Sequence, residues 1–456
     1  MENKSTDPTP IRNRYSIWAI AALIVTALLF DGVLGHWKQS EGVITHDARS
    51  YYGYLPAYFI FKDLKTEKSD YQYDEGKYWL WTVTTEKGKE VFKMNCGVAL
   101  MESPFFLMAH QLAKKLGYPP TGFSLPYRVF MLVGALFWFT LGLFLIRDLL
   151  LRLGFADMST ALTLLIIGAG TNLLFYATAD ALMSHVHSFF LVAAAVTLLL
   201  RFQQSPGLKT GLLFGLVFGL ITLLRLSNAV FIVFVVLLVW PRKGNPRLAN
   251  PLMLAAFMLL GIGVAWLPQL AYWKAVAGEY LVYSYGEEGF FFSDPMLKEG
   301  LIGFRRGWLV YTPLMILALI GLFVNDSRIT ALKPAIVALL IIHFYVVVSW
   351  WCWWYGGSYG QRAMIDIYPI LALPVALCVD RLIHLRRSVV MGLGLLIVFL
   401  IGLNLFQMLQ YVHGGLHHDA MTARGYLRQF GQLQKQAGID SVLVYPDYDA
   451  ALHGDR

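Results

Sequence analysis

Residues 350–369 read WWCWWYGGSYGQRAMIDIYP. Tryptophans at 350, 351, 353 and 354 suit the headgroup boundary of a bilayer, where amphipathic rings collect. Gly356, Gly357 and Gly360 then let the backbone turn closely around a ligand. Arg362 follows, at the mouth of the next apolar run. Apolar stretches flank the segment at 334–350 and 364–384. The stretch therefore reads as a loop between two membrane helices, with a lone arginine at lipid-phosphate depth.

The rest of the chain agrees. Of 456 residues, 57% are apolar and 14% charged, against roughly 25% charged in soluble domains. Mean hydropathy is +0.55. Apolar runs at 15–35, 127–147, 159–177, 184–202, 208–225, 226–241, 252–273, 308–324, 334–350, 364–384 and 388–408 predict eleven spans. The fold class is thus an all-α polytopic membrane protein, with little chain left for a soluble nucleotide-binding domain. The segment 97–116, CGVALMESPFFLMAHQLAKK from Cys96 onward, is interrupted by Glu102, Pro104 and His110. It reads as an interfacial helix.

Charge gives the orientation. With eleven spans, five short loops on one side hold Arg147, Arg152, Arg201, Lys209, Arg242, Lys243, Arg247, Arg328, Lys333, Arg381, Arg386 and Arg387. The opposite loops after the second span hold Arg225, Lys274, Lys298, Arg305, Arg306 and Arg362. Lys4, Arg12 and Arg14 precede the first span. The positive-inside rule puts the N-terminus in the cytoplasm. The net charge of +8 then reflects topology and not a nucleic-acid partner. A membrane domain, 1–408, contains a first extracytoplasmic loop at 36–126, and 409–456 forms a short outer tail. Within that loop, 48–61 reads as an aromatic helix at the headgroups, and 78–94 as a β-hairpin around Gly88. With helix 97–116 these make a small cap, against which the tail is expected to lean. Three cysteines make no disulfide framework. Gly211, Gly215 and Gly219 read as close helix packing.

Polar residues near a membrane are candidate sites because burying charge in lipid is costly. Asp47, just beyond the first span, reads as a general base or metal ligand, or as the cap of the following helix. Asp180 and His185 lie between the third and fourth spans, where they can position a substrate or cap helices. Arg225 interrupts an apolar stretch, as an interfacial anchor or an anion ligand. Arg305, Arg306 and Arg362 stand against the charge trend, able to hold phosphate in bidentate fashion or simply to snorkel. His413 and His417 have i,i+4 spacing, but the adjacent glycines favour a polar turn over a metal site.

Four segments together resemble the GT-C membrane glycosyltransferases, closest to the polyprenyl-phosphate-sugar branch of protein O-mannosyltransferases and aminoarabinose transferases. They are HDARSYYGYLPA from His46, GVALMESPFFLMAH from Gly97, FRRGWLVYTPL from Phe304, and WWYGGSYGQRAMIDIYP from Trp353. The likeness covers most of the chain. It departs where Asp47 is followed by Ala48 instead of a second acid. The resemblance implies transfer of a hexose or pentose from a polyprenyl (undecaprenyl) phosphate to an extracytoplasmic lipid A, glycan or protein. It implies Asp47 as base, Arg362, Arg305, Arg306 and Arg225 on the donor phosphate, and Asp180, His185, Glu102 and Tyr52 toward sugar or acceptor. Direct attack by one base predicts inversion at C1. The resemblance implies no particular cofactor, and a divalent metal is compatible with the pattern. The implied location is the bacterial inner membrane, with the site facing outward. A polysaccharide polymerase or ligase, and a lipid-linked sugar flippase, are the rival readings.

Overall fold

The computed structural model describes residues 14–66, 80–240 and 251–456, together with the backbone of 72–73 and 76–77. Lys4, Arg12, Arg242, Lys243 and Arg247 of the charge argument, and positions 78 and 79 of the hairpin, lie outside the described residues. The chain is a helical, multi-pass membrane protein. Among the described residues, six helices are long and apolar enough to cross a membrane: Tyr15–Leu34, Leu125–Arg152, Ser184–Gln204, Pro251–Ala277, Arg362–Leu382 and Arg387–Val412. Five shorter apolar helices occupy the other expected positions: Asp157–Ala169, Leu208–Leu224, Leu226–Val239, Pro313–Phe323 and Lys333–Ser349. All eleven apolar runs are therefore helical, but among the described residues six meet the length for a span. A 13-residue helix covers about 20 Å at 1.5 Å per residue, short of a hydrocarbon core of about 30 Å.

Breaks in the backbone shorten these helices. Arg225 ends Leu208–Leu224 in an extended conformation and is followed by a 3₁₀ turn, Leu226–Val230. Trp308–Tyr311 stops before Pro313, whose ring cannot continue an α-helix. The glycine stripe does pack helices closely. A Cβ on Gly215 would fall 1.9 Å from the Phe257 carbonyl oxygen, and one on Gly219 2.4 Å from that of Gly261.

The first loop is folded. Thr82–Thr84 pairs antiparallel with Glu90–Phe92, and Gly88 takes φ 69° in the turn between them. Helix Gly97–Leu116 buries Val98, Met101, Phe105 and Phe106 on one face and exposes Leu100, Leu107 and Met108 on the other. The aromatic helix differs from expectation. In Asp47–Pro56, eight of ten residues are buried, packed on Phe92, Tyr272 and Phe106 instead of lying open at the headgroups. A Cβ on Gly53 would meet the Phe92 ring at 2.4 Å.

The tail also departs from expectation. It folds into helices Ala423–Gln429 and Tyr448–Leu452, capped by the Thr422 and Asp447 side chains. It rests on late loops instead of on the cap. Arg305 Nη2 donates to Val444 O at 3.0 Å, and Arg456 Nη1 donates to Trp350 O at 3.1 Å. Trp351, Trp353 and Trp354 are buried with Ala451 and Leu452, so these rings sit under the tail and not in a lipid-facing belt. Cys96, Cys352 and Cys378 are free and buried.

Candidate functional site

A cavity of about 320 Å³ opens where the first loop, the Arg225 break and the 350–362 loop converge. Asp47, Arg225 and Arg362 all line it. Asp47 opens its helix, while His46 takes the cap position at φ 45°, a backbone region that non-glycine residues rarely adopt. No side-chain cap bond forms there. The Asp47 carboxylate instead turns to Arg362, whose Nη2 donates to Oδ2 at 3.1 Å. Arg362 is brought there by turns at Gly356 (φ 59°) and Gly360 (φ 61°). A Cβ at Gly360 would lie 3.2 Å from that of Tyr311, so only glycine suits this approach.

Two arginines share one ring. The Arg225 and Arg362 guanidinium carbons lie 5.6 and 5.7 Å from the Tyr355 ring centre, within cation–π range. Tyr355 itself has φ 58°, a strained position held by the surrounding loop. Burial pushes its hydroxyl up to about 12, while both arginines pull it back.

Arg225 is braced from behind. Its Nη1 donates to His185 Nε2 at 3.1 Å, and His185 Nδ1 donates to Asp366 Oδ1 at 3.1 Å. That chain fixes the neutral tautomer with the proton on Nδ1. Arg225 Nε also lies 3.7 Å from Asp366 Oδ2. His343 Nε2 donates to Ala363 O at 2.9 Å, holding the turn that carries Arg362 and Asp366.

Asp180 lies beside this pair. Burial raises its carboxyl to about 6, Arg362 pulls it down, and Asp47 pushes it up. The far wall of the cavity is aromatic, with Trp81, Tyr285, Phe290, Trp350 and Tyr448. Lys93 lies 5.5 Å from both the Trp81 and Tyr285 ring centres and ion-pairs with Glu288.

Other expected site residues are elsewhere. Tyr52 points away from the cavity: its hydroxyl donates to Gly122 O, and its ring packs on Phe106 and Phe123. Successive side chains on a helix diverge, and it is Tyr51 that lines the cavity. Glu102 is fully buried against Gly134 and bonded to His187 Nε2 at 2.7 Å. Burial raises its carboxyl, opposed by His187. It joins helix Gly97–Leu116 to helix Ser184–Gln204 and does not line the cavity. Arg306 is wholly buried and donates to Arg305 O and His417 O, and Arg305 lies over Trp354. Both hold the tail, because the loop carrying them is roofed by it.

Sequence reasoning missed Tyr51, Lys93, Glu288, Tyr355 and Asp366. Asp366 had a signal, since it is an acid inside an apolar span four residues after Arg362. Lys93 had none beyond ending the hairpin. Among the described residues, one group of three metal-capable side chains gathers, His417, His418 and Asp419, and it does not include Asp47.

No protein-family model and no curated protein matches the sequence. Among solved structures, the chain is similar to the oligosaccharyltransferase AglB from Archaeoglobus fulgidus in complex with an inhibitory peptide and a dolichol-phosphate. The identity is 10% and the TM-score 0.50, over 96% of this chain and 60% of that one. It is also similar to ArnT from Cupriavidus metallidurans bound to undecaprenyl phosphate, at 12% identity and TM-score 0.50, over 97% of this chain and 76% of that one. At such identities the likeness is one of fold. The chain shares the membrane fold of these two structures and spans about three fifths of the archaeal enzyme's length.

Proposed function

We propose that this chain is a glycosyltransferase that moves a sugar from a polyprenyl phosphate donor to an extracytoplasmic acceptor. The observation that carries the reading is the Asp47–Arg362 pair at 3.1 Å, in a cavity that Arg225 also enters. Such a donor needs no nucleotide site. Its leaving group is already a phosphate, so the protein must stabilise anionic charge and take one proton. A guanidinium suits the first task and a carboxylate the second.

In the proposed step, the bond from sugar C1 to the phosphate oxygen breaks and a bond from C1 to the acceptor oxygen forms. The acceptor's proton passes to Asp47, and polyprenyl phosphate leaves. The planar Arg362 fork can face a phosphate oxygen and the Asp47 carboxylate together. Donor phosphate therefore competes for the cation that holds Asp47 and leaves the carboxylate freer as a base. Arg225, braced by His185 and Asp366, adds a second cation on the same Tyr355 ring. Asp180 lies close enough to feel both members of the pair and is assigned to orienting sugar or acceptor. A single base attacking directly gives inversion.

The solved neighbours with dolichol-phosphate and undecaprenyl phosphate support a lipid-phosphate donor. Undecaprenyl phosphate, a lipid A, glycan or protein acceptor, eleven passes with the N-terminus inside, and a bacterial inner membrane complete the reading. The test uses purified protein in nanodiscs with a polyprenyl-phosphate sugar and candidate acceptors. Release of polyprenyl phosphate that requires both protein and acceptor is expected. Failure to bind polyprenyl phosphate, or movement of the intact lipid-linked sugar across vesicles without bond cleavage, overturns the proposal.

A further inference from the structure

The C-terminal segment builds a second cavity that the proposed transfer does not use. Its volume is about 480 Å³, within the usual range for small-molecule sites. Tail residues between 444 and 456 form one wall, and residues between 296 and 305 with Trp353 and Trp354 form the other. Glu299, Asp447 and Asp455 bring carboxylates to it, and Arg305 a guanidinium. Glu299 is partly buried, yet its carboxylate and that of Asp455 have no hydrogen bond or ion pair among the described residues. Asp447 Oδ1 accepts from the Ala450 N–H at 3.0 Å, which leaves Oδ2 open. Arg305 donates from Nη2 to Val444 O at 3.0 Å and lies over the Trp354 ring, with further N–H groups free for a ligand.

We propose that this cavity is a saccharide subsite, which holds a neutral or amino sugar ring of the acceptor. A hydroxyl both donates and accepts, so a polyol matches a wall that offers carboxylate acceptors beside guanidinium donors. Tyr445 supplies a flat surface for the C–H face of the ring, since aromatic faces carry negative charge. Its hydroxyl donates to Asp440 Oδ1 at 3.2 Å, and the His417 ring packs nearly perpendicular to it at 5.1 Å. The Tyr445 ring is thus held in place while the residue stays 58% exposed.

Charge chooses between ligand classes. Three carboxylates face two arginines, and Arg456 already donates to the carbonyls of Ser349, Trp350 and Asp294. A phosphorylated headgroup would meet excess negative charge, and an acyl chain would strip water from unpaired carboxylates. Position ties the cavity to the acceptor. Trp354 lines it, Tyr448 lines the candidate site, and their rings lie 5.6 Å apart. The two cavities therefore adjoin, and an oligosaccharide with one ring here presents another toward Asp47. That placement rests on the transferase reading, whereas the saccharide site itself does not.

The test uses full-length protein in nanodiscs, without donor, and saturation-transfer NMR. The probes are maltotetraose, mannotetraose and the glucosamine tetramer at about 10 mM, tenfold above a Kd of about 1 mM. At least one is expected to bind. Glu299→Gln combined with Asp455→Asn, and Tyr445→Ala alone, should each weaken it about tenfold or more. Asp449→Asn, exposed and outside the cavity, should leave binding unchanged, and so should Asp47→Asn. Binding of none of the probes overturns the proposal. So does wild-type affinity in the folded double variant, or loss of binding in Asp47→Asn, which would put the sugar in the candidate site. Glucose 6-phosphate binding more tightly than every neutral and amino probe overturns it as well. If transfer to a saccharide is detected and the double variant keeps the wild-type acceptor KM, the subsite falls while the transferase reading stands. If a probe binds as expected and no transfer occurs, the transferase reading falls and the saccharide site stands.

Discussion

Asp47 Oδ2 and Arg362 Nη2 lie 3.1 Å apart, although 315 residues separate them in the chain. One opens a helix of the first loop, and the other opens a 3₁₀ turn late in the membrane domain. The pair is partly buried, with the side chains 21% and 11% exposed. Removing one member of such a pair leaves a charge without its counterpart, so conservative variants are the informative ones.

Asp47→Asn keeps the shape and removes the charge. If Asp47 is the base, turnover should fall roughly 10²-fold or more at unchanged expression. A role confined to the helix start costs about 1 kcal/mol or less and leaves transfer largely intact. Near-normal transfer by the purified variant would refute the assignment.

Arg362→Lys conserves charge but replaces a planar fork with a point charge. Donor use should weaken by about tenfold or more, and Arg362→Ala should do more damage. A snorkelling arginine would tolerate Lys almost fully. Transfer measured against donor concentration separates the two, and a Lys variant with wild-type donor dependence removes Arg362 from the site.

Asp180 makes stability depend on pH. Its carboxyl rises from 3.8 to about 6 in the folded protein, so between those values the folded state binds more protons than the unfolded one. Stability should be greatest below about pH 4, fall as pH rises to 6, and stay lowered at neutral pH, by on the order of 3 kcal/mol at most. Asp180→Asn should therefore raise the thermal midpoint relative to wild type at pH 7, with the gain shrinking toward pH 4. An equal difference at both pH values would count against the buried charge.

Gly215→Ala should destabilise the protein, because its Cβ would sit 1.9 Å from the Phe257 carbonyl oxygen. Overpacking of this kind typically costs about 1–3 kcal/mol. Gly263→Ala is the control, since nothing lies within 4 Å of its Cβ. Thermal unfolding in detergent should separate the two clearly, and equal midpoints would contradict the close helix contact.

Cysteines placed at Lys87 and Gln432 are both exposed and should react with an impermeant thiol reagent from the same, outer side. Labelling of either one only from the cytoplasm would overturn the proposed eleven-pass topology.

What the sequence determined by itself was the solvent and the spacing. Apolar runs of fixed length placed all eleven helical segments, and Gly88, flanked by alternating residues, placed the hairpin. The small-residue stripe at Gly211, Gly215 and Gly219 announced a close helix contact. These are local properties, set by hydropathy and backbone freedom over a few turns. Candidate charges were legible too, because an ionised side chain at membrane depth is conspicuous wherever it lies.

Tertiary structure alone decided which of those charges meet. Asp47, Arg225 and Arg362 reach one cavity, whereas Arg305 and Arg306 hold the tail and Glu102 closes a helix contact. Nothing in the spacing of FRRGW distinguishes a phosphate ligand from a tail clamp, because the tail that covers it lies more than a hundred residues later. Nor could composition tell Tyr51 from Tyr52, since the choice depends on how the helix is rotated about its axis. Helix ends are likewise non-local: Arg225 breaks its helix where His185 and Asp366 are waiting to receive it. Pairing across hundreds of residues follows from how helices pack, and a one-dimensional pattern carries no record of that.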